Sequence, residues 1–462
     1  MFTRLIERIK GVLMRMFARE QIDTVIREEV TLSDAMIARL NLWEGMLEGH
    51  AKWIEKTEDG VKSLKLESAI CREFANVTLS EMDTKLDNDT LNPMYQKAIS
   101  DLNENMQNGL GLGSFVVKPL ANTNEYEYIP ADRIVPLEYG SGNRLKRVAF
   151  IQMKPIGDND VYYRLEIHEL IDGGLRVRNR AFKGTDGNFG SEISLSSISE
   201  WANLEEEVFY PNMDRMDFGY YRNPIPNRID GSANGVSIFE DAIELIRKAD
   251  IQFGRIDYEY SSGERLIFAD YTTVKKEQDN KGNYHWKAPK GKERMFVGVN
   301  GADDQWTEHS PALRDANYIN GLNEYKRQIE FACSLSYGDL SKNETVEKTA
   351  QEIKASKNRK YNMVNAIQSN LKQCLEDLAY AIAFYNAMFN SDIGFECTFH
   401  DSIKTDEDTE RQLDIRDVQM GFMSKVDYRM KWYGETEEQA KAKIEAIALE
   451  NMALSQAEGE IA

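Results

Sequence analysis

Three closely spaced glycines, Gly109, Gly111 and Gly113, are the part of this sequence most similar to a cofactor-binding turn. A dinucleotide site needs the spacing GxGxxG after a strand and at the start of a helix, so that the helix N-terminus faces the pyrophosphate. Here the spacing is GxGxG, and the glycines lie after a predicted helix and before the predicted strand FVVKPL. The pattern therefore predicts the end of a helix and a turn, not a nucleotide site.

The run HDS at 400–402 contains the three residue types of a hydrolase triad. Neighbours in sequence cannot face one another as triad residues must, so we interpret the run as a strand end followed by a helix cap. The acidic run at 406–408 is typical of a solvated first helical turn. The histidines are spread along the chain without the spacing of metal ligands: His50, His168, His285, His309 and His400.

The motifs GxxxxGK(S/T), HExxH and GxSxG do not occur in the sequence. It therefore predicts neither the phosphate-binding loop of a motor nor the two common hydrolase sites. We expect a protein that is not an enzyme and that needs no cofactor and no metal. A nuclease with dispersed carboxylates is the enzymatic alternative, and an assay with a divalent metal would distinguish it by turnover.

Charge is distributed unevenly along an acidic chain. The sequence contains 57 Lys and Arg against 77 Asp and Glu, a net charge of −20 at pH 7. Such a surface repels phosphate groups, so we expect any contact with DNA to be local or brief. Two segments are locally basic: 275–294 has seven basic residues against three acidic, and 341–360 has six against three. Both suit brief phosphate contact, and ordinary solvated charge is the alternative.

The cysteines and the apolar segments indicate the expected compartment. Cys71, Cys333, Cys374 and Cys397 are far apart and form no CxxC pair, so we expect neither a zinc ribbon nor a disulfide framework, and a reducing environment. No apolar run reaches the roughly 18 residues that cross a bilayer. Segment 1–17 has apolar residues at helical spacing with interrupting charges, so it is not expected to be a secretory signal. A helix that lies on a membrane is one alternative, and a helix that docks on a partner or packs as a terminal helix is the other.

Hydrophobic periodicity predicts a helical start and a strand-rich continuation. Residues 1–110 carry apolar residues three and four positions apart, which predicts helices; LKLESAICREFANVTL at 64–79 is an example. From about residue 114 to about residue 230, short alternating runs are separated by glycine, asparagine and aspartate turns, which predicts strands. The combination predicts an α+β fold.

A helical hairpin with a small β lobe is predicted in the second half of the chain. Apolar residues recur every three or four positions over 235–260, which predicts one helix of about 25 residues. Residues 264–309 return to short strands and turns, and a helix resumes over 312–334. Two long helices that enclose a small β lobe form a hairpin that protrudes from the body.

A polar, glycine-containing break at 336–348 (SYGDLSKNETVEK) precedes the longest predicted helix. That helix covers 349–389 and would reach about 60 Å at 1.5 Å per residue. This length exceeds that of an ordinary globular helix and suggests a spine within a larger assembly. Residues 395–399 predict one strand, and the tail from residue 405 is helical and acidic.

Several short segments between residues 37 and 450 occur in an order that is difficult to obtain by chance. They are IARLNLWEGMLEGHAKWI with Trp43 and Trp53, GLGSFVVKPL, YIPADRIVPLEY, YYRLEIHEL, FGYYRNPIPN, GVSIFEDAIELIRKAD, SLSYGDLSKNETVEKTAQEI, FHDSIKTDEDTE and GFMSKVDYRMKWYGETEEQAKAKIEAI. The most specific pair is KTAQEI after a glycine-containing loop, followed by FxDSI at a strand end. In these segments the chain resembles the portal proteins of tailed bacteriophages, of the kind found in long-tailed phages and prophages of Gram-positive hosts.

The resemblance implies a portal fold that forms a ring of about twelve subunits at one capsid vertex. DNA would be packaged, and later ejected, through the channel of this ring. The implied partners are double-stranded DNA, the terminase large subunit, a head–tail adaptor, the major capsid protein and the scaffold protein. The implied location is the portal vertex of the virion, and the host cytoplasm during assembly.

The resemblance also divides the chain into the parts of a portal subunit. These are a wing (1–234, helical and then strand-rich), a first stem helix (235–262), a clip (263–309), a second stem helix (310–334), a tunnel-loop region (335–348), a spine helix with a wing strand (349–400) and a crown (401–462). In the tunnel loop, it implies that Lys342, Asn343 and Lys348 lie next to DNA. In the clip, which would dock terminase and adaptors, it indicates six basic residues: Lys275, Lys276, Lys287, Lys290, Lys292 and Arg294.

Two alternatives from outside active phages stay open at the level of the sequence. One is a non-viral, ring-forming structural scaffold with a protruding β lobe. The other is the portal of a defective prophage or of a gene-transfer particle, which is biochemically the same object. The number of subunits in the ring also stays open.

Overall fold

The computed structural model describes most of the chain. The described residues are 19–27, 30–54, 61–80, 82–120, 124–156, 160–185, 187–263, 266–270, 276–278, 284–286, 296–299, 306–309, 312–342, 350–386, 393–399 and 407–459. Side-chain surroundings are described for the same residues except 19–20, 266–309, 350–356, 407–410 and 450–459. The predicted amphipathic segment 1–17 lies outside the described residues.

The N-terminal part is helical, as predicted, with one short strand among the helices. The elements are α1 (Arg19–Ile26), α2 (Asp34–Glu48), α3 (Leu66–Ser80), β1 (Met82–Leu86), α4 (Leu91–Ala98) and α5 (Leu102–Leu112). Helix α2 begins after Ser33, whose Oγ accepts a hydrogen bond from Met36 N at 3.1 Å, and it ends at Gly49 in the left-handed region (φ 80°). Local capping chemistry therefore sets both ends of this helix.

The glycine run at 109–113 ends a helix, which confirms the sequence interpretation. Gly113 has a φ of 97°, and a Cβ atom there would lie 2.5 Å from the backbone of Gly235. Its carbonyl accepts a hydrogen bond from Asn223 N at 2.9 Å. Glycine is needed because the turn is left-handed and a second chain segment passes directly against it.

Antiparallel strands follow the helices, which confirms the predicted strand-rich region. They are β2 (Ser114–Pro119), β3 (Tyr126–Pro130), β4 (Ile134–Tyr139), β5 (Leu145–Ile156), β6 (Asp160–Ile171), β7 (Gly174–Thr185), β8 (Asn188–Ile193), β9 (Glu207–Pro211) and β10 (Gly219–Arg222). One sheet has the order β4-β5-β6-β7-β8, with β9 also paired to β7, and a second has the order β10-β2-β3. The mixture of helices and sheets confirms the α+β class.

A hydrophobic core lies between these two sheets. Val116 and Ile129 come from the smaller sheet, and Val148, Phe150 and Val177 come from the larger one. Two aromatic residues of the long helix Ala350–Tyr385 pack against the same core; they are Tyr380 and Phe384. The face of the larger sheet that meets this core is therefore covered, and side chains on it cannot be solvated as they would be on an open sheet.

The helix predicted over 235–260 begins later than the apolar pattern indicated. Helix α6 covers Ile243–Ser262, and a single 3₁₀ turn precedes it at Glu240–Ala242. Before that turn the backbone bonds to other elements: Ile238 N donates to Leu110 O at 2.9 Å, and Asn223 Nδ2 donates to Val236 O at 2.8 Å. Because these groups are already paired, the helix cannot start at Gly235, and the predicted start was wrong.

The segment between α6 and the next helix contains short strands, as predicted. They are β11 (Leu266–Asp270), β12 (Lys276–Gln278), β13 (Tyr284–Trp286), β14 (Phe296–Val299) and β15 (Trp306–His309). β11 lies between β14, which is parallel to it, and β15, which is antiparallel, and β12 and β13 pair with each other. The chain returns through helix α7 (Asp315–Ala332).

The longest helix, α8, covers Ala350–Tyr385, which confirms the predicted helix over 349–389 within four residues. Its 36 residues would span about 54 Å at 1.5 Å per residue. The face marked by Val364, Leu371 and Leu378 is buried, in agreement with the apolar pattern. Phe389, which the pattern also assigned to this face, lies outside the described residues.

By contacts within the chain, the protein divides into two compact units, Met1–Thr398 and Phe399–Ala462. The predicted strand β16 (Phe395–Phe399) pairs with β1. The second unit contains α9 (Glu407–Met420), α10 (Lys425–Tyr433) and α11 (Glu437–Gly459). Within the described part of the chain, no helix is long and apolar enough to cross a membrane.

Candidate functional site

The α6–α7 hairpin is held together by polar contacts at its lobe end. Glu259 on α6 bonds to Arg314, just before α7, with 2.9 Å between Oε2 and Nη2. Its Oε1 also accepts the backbone N–H of Arg314 at 2.9 Å. These hydrogen bonds from Arg314 lower the pKa of Glu259. One carboxylate thus joins the end of one helix to the start of the other.

The outer surface of the hairpin exposes large apolar side chains. Tyr258 on α6 is 71% exposed, and Ile319 and Phe331 on α7 are 44% and 56% exposed. The side of each helix that faces the other is buried, through residues such as Ile256 and Leu322. Exposed apolar faces of this kind are typical of interaction surfaces.

The segment after α7 turns back toward that helix. Glu330, near the C-terminal end of α7, is fully buried and accepts the backbone N–H groups of Gly338, Leu340 and Ser341 at 3.1, 2.7 and 2.7 Å. The Ser341 hydroxyl donates to the same carboxylate at 2.9 Å. A single side chain of α7 therefore organises the first half of the predicted tunnel-loop region.

Lys342 is the one member of the predicted channel-facing set, Lys342, Asn343 and Lys348, that lies within the described residues. Its side chain is exposed, and its backbone N–H donates to Asn323 Oδ1 on α7 at 2.7 Å. Among the predicted clip residues, Lys276 lies in β12, where the backbone alone is described. Five others lie outside the described residues: Lys275, Lys287, Lys290, Lys292 and Arg294.

Alternating arginine and aromatic side chains pack beside this turn. The guanidinium of Arg359 on α8 lies 4.7 Å from the ring centre of Phe331 and 5.2 Å from that of Tyr337. Arg327 on α7 lies 5.0 Å from the Tyr337 ring. Cation–π contacts of this geometry attract the groups to one another, so they connect α7, the turn and α8.

Lys360 connects the same turn to α8 and α3. It is buried on α8, and its ammonium lies 3.0 Å from Asp339 Oδ2 and 2.6 Å from Glu73 Oε1 on α3. Asp339 Oδ2 also accepts the backbone N–H of Ser336 at 2.9 Å. The turn is therefore held from two sides, by Glu330 of α7 and by Lys360 of α8.

A separate buried cluster of charges lies between the two sheets. Glu166 on β6 accepts bonds from Lys118 Nζ on β2, 2.7 Å from each carboxylate oxygen, and from Arg164 Nη2 at 2.8 Å. Glu127 on β3 lies 3.5 Å from the same lysine. Burial opposes the ionised form of Glu166, but Lys118 and Arg164 hold the pKa of this carboxyl well below its usual range.

His168 extends this cluster to α8. Its Nδ1 lies 2.7 Å from Asp217 Oδ1, its Nε2 lies 2.9 Å from Glu166 Oε1, and Tyr385 Oη of α8 donates to Asp217 Oδ2 at 2.6 Å. Burial by itself would lower the pKa of His168, but the two carboxylates raise it to about 9. The imidazole is therefore charged at pH 7, and three cations face three carboxylates in the cluster.

This cluster has perturbed pKa values but not the form of an active site. His168 and Asp217 are buried, and their polar atoms already bond to one another and to neighbouring side chains. Ion-pair networks that support a fold also shift pKa values. We assign the cluster a structural role. In the sequence, His168 is one of five scattered histidines; the available signal was the alternation of Arg164, Glu166 and His168 with apolar residues in a region predicted to form strands.

A second buried acidic group lies where α6 meets the N-terminal helices. Asp250 on α6 accepts Trp53 Nε1 at 2.8 Å and the backbone N–H of Leu64 at 2.8 Å. Burial raises the pKa of Asp250. Burial, with a further contribution from Asp250, also raises the pKa of Glu67 on α3 to about 7. These carboxyls titrate nearer neutral pH than exposed ones do.

Among the described residues, the geometry does not favour a metal site or a reactive cysteine. Among the residues that the structure describes, no group of three or more His, Cys, Asp or Glu side chains is arranged to hold a metal ion. Burial raises the pKa of the thiols of Cys71, Cys333, Cys374 and Cys397, which are buried and unpaired. Buried thiols with raised pKa values are weak nucleophiles.

Comparison of the sequence with models of known protein families and with curated proteins gives no match. The assignment of a function therefore depends on the fold and on the geometry of the hairpin and the turn that follows it.

Proposed function

We propose that this chain is the portal protein of a tailed bacteriophage or prophage, a subunit of a ring that conducts DNA. The observation that carries the proposal is the order of elements after residue 242. Helix α6, a small β lobe, helix α7, a polar turn and the 36-residue helix α8 follow one another. This order corresponds to stem, clip, stem, tunnel loop and spine, the parts that the sequence segments resemble.

The exposed faces of the hairpin support a ring. Tyr258, Ile319 and Phe331 would be covered by a neighbouring copy of the chain, which explains why such large apolar side chains lie outside the core of one subunit. Head-to-tail contacts of one copy with the next close into a ring when the rotation between them fits. The ring number expected from the resemblance is about twelve.

The charge of the chain suits a conduit. At a net charge of −20, most of the surface repels DNA, and the duplex can move without breaking many strong phosphate contacts. Locally basic segments then supply brief contacts: the loop with Lys342, Asn343 and Lys348 toward DNA, and the lobe toward the terminase large subunit and the head–tail adaptor. The remaining proposed partners are the major capsid and scaffold proteins, and the proposed location is the virion.

The mass of the purified chain in solution tests this proposal. We expect light scattering to give a particle of about 640 kDa, twelve times the 53.0 kDa chain. Negative-stain images of the same peak should show rings with a central hole. A stable dimer or tetramer without a hole would contradict the proposal.

Replacement of two loop lysines tests the proposed contact with DNA. Lys342→Glu with Lys348→Glu changes the local charge by four units and repels the phosphate backbone. We expect the yield of DNA-filled particles to fall by about tenfold or more, with rings still formed. The charge-matched control is Lys97→Glu with Lys146→Glu, two exposed lysines in surface ion pairs of the first unit. Equal yields of DNA-filled particles from the two double variants would contradict the proposal that this loop faces the channel.

A further inference from the structure

Two polar residues of α7 accept four of the five backbone N–H groups of the returning segment 338–342. Glu330 accepts those of Gly338, Leu340 and Ser341, and Asn323 accepts that of Lys342. Asn323 and Glu330 are seven residues apart, which places them two turns apart on the same face of the helix. We call this pair the α7 seat. The loop runs back along α7 in the direction opposite to the helix. Glu330 accepts the N–H groups of the earlier loop residues, and Asn323, two turns nearer the start of the helix, accepts that of Lys342.

The Glu330 carboxylate occupies a position that an external anion would otherwise take. Successive backbone N–H groups that converge on one point form a concave site that favours negative charge. Here Glu330 Oε1 accepts three such groups from within the chain. These three amides are therefore not free to bind a DNA phosphate.

The second support of the loop comes from a different helix. Lys360 of α8 pairs with Asp339, which in turn accepts Ser336 N. The seat and Lys360 thus hold neighbouring residues of the loop, and a shift of α7 against α8 would have to break bonds to Glu330 or to Asp339. The position at which the loop leaves the body is fixed by side chains of two long helices.

We propose that Asn323 and Glu330 are positioning residues, which set the place at which the chain leaves α7 at Lys342. The positioning itself needs no assumption about function. Its consequence, that the seat determines where the loop meets DNA, rests on the proposed portal function.

Hydrogen exchange of single backbone amides in the full-length protein tests the seat. Glu330→Ala removes the acceptor of three amides, and Glu330→Gln keeps the shape but removes the charge that strengthens those bonds. We expect exchange at Gly338, Leu340 and Ser341 to accelerate by about 10-fold to 100-fold in Glu330→Ala and by about tenfold in Glu330→Gln. Asn323→Ala should accelerate exchange at Lys342 alone.

The matched control is Glu324→Gln, on the same helix. Glu324 is exposed and accepts a bond from Gln328 at 2.7 Å, one turn along α7. Its replacement should leave exchange in the loop unchanged. If Glu330→Ala does not fold, by circular dichroism, then Glu330→Gln and Asn323→Ala decide the question. Exchange rates in those two variants equal to those of the control would overturn the proposal.

Measurement of DNA retention in assembled particles distinguishes a role of the seat in positioning the loop from a role in stabilising the fold alone. In particles assembled with Glu330→Gln, we expect normal rings and a thermal-unfolding midpoint lowered by only about 2–4 °C, but DNA retention reduced by about fivefold to tenfold. Normal retention with a loosened loop would overturn the link between the seat and DNA. If the unmodified chain forms no ring, the proposed function fails, while the exchange result still decides the role of the seat.

Discussion

Glu166→Ala is expected to lower the free energy of unfolding of the first unit by about 3–5 kcal/mol, since it removes one partner from a buried ion pair. The substitution leaves Lys118 and Arg164 buried without the carboxylate that both of them contact at 2.7–2.8 Å. It also removes the acceptor of His168 Nε2. An uncompensated buried charge is more costly than the loss of the same pair at the surface.

An exposed glutamate on another strand of the same sheet provides the control for this result. Glu192 on β8 accepts two bonds from Arg180 at 2.7 Å, yet its side chain is 45% exposed. Glu192→Ala should therefore cost only about 0–1 kcal/mol. Urea unfolding followed by circular dichroism measures both variants. Similar midpoints for the two would show that the cluster between the sheets is accessible to water.

The charge cluster shows what the sequence could and could not predict. The alternating pattern between about residue 114 and about residue 230 predicted strands, and β6 covers Asp160–Ile171 within this region. Arg164, Glu166 and His168 alternate with apolar residues, which is typical of a strand with one solvated face. The fold instead covers that face with the sheet of β2 and with α8. Burial of a polar face depends on contacts between elements that are distant in sequence, so periodicity within one strand cannot predict it.

The start of helix α6 was predicted wrongly for a similar reason. The apolar residues from 235 onward repeat at helical spacing, but Ile238 donates its backbone N–H to Leu110 of α5. A tertiary bond thus replaces an intrahelical one, and no local pattern records it. By contrast, α8 was predicted within four residues, because its long apolar face packs continuously on the body and its propensity and packing agree.

The candidate site was only partly visible in the sequence. Lys342 was selected because it lies in the polar, glycine-containing break at 336–348, and in the structure its backbone N–H bonds back to Asn323 of α7. Glu330 was not selected, since a single acidic residue near a helix end reads as ordinary solvated charge. Its role depends on full burial and on four converging donors, which become apparent only when the chain after the helix is folded back.

Glu67→Gln is expected to stabilise the protein at pH 8 and to have little effect near pH 4.5. The pKa of Glu67 is about 7 in the folded protein, against an ordinary value of 4.5, chiefly because the group is buried. The folded state therefore binds more protons than the unfolded state between these values, and the free energy of unfolding falls as the pH rises through them. A difference of this size corresponds to about 3 kcal/mol once the pH exceeds 7.

Glutamine keeps the shape of the neutral side chain and removes the titration, so most of this loss should disappear in the variant. A dependence of stability on pH should persist in part, because burial also raises the pKa of the neighbouring Asp250. Thermal unfolding at pH 5, 6, 7 and 8 measures the effect, with Glu104→Gln on the exposed face of α5 as the control. An unchanged slope of stability with pH in Glu67→Gln would mean that Glu67 ionises in the folded protein as an exposed residue does. It would then follow that water reaches the contact between α6 and α3, and that this contact does not hold the hairpin by excluding water.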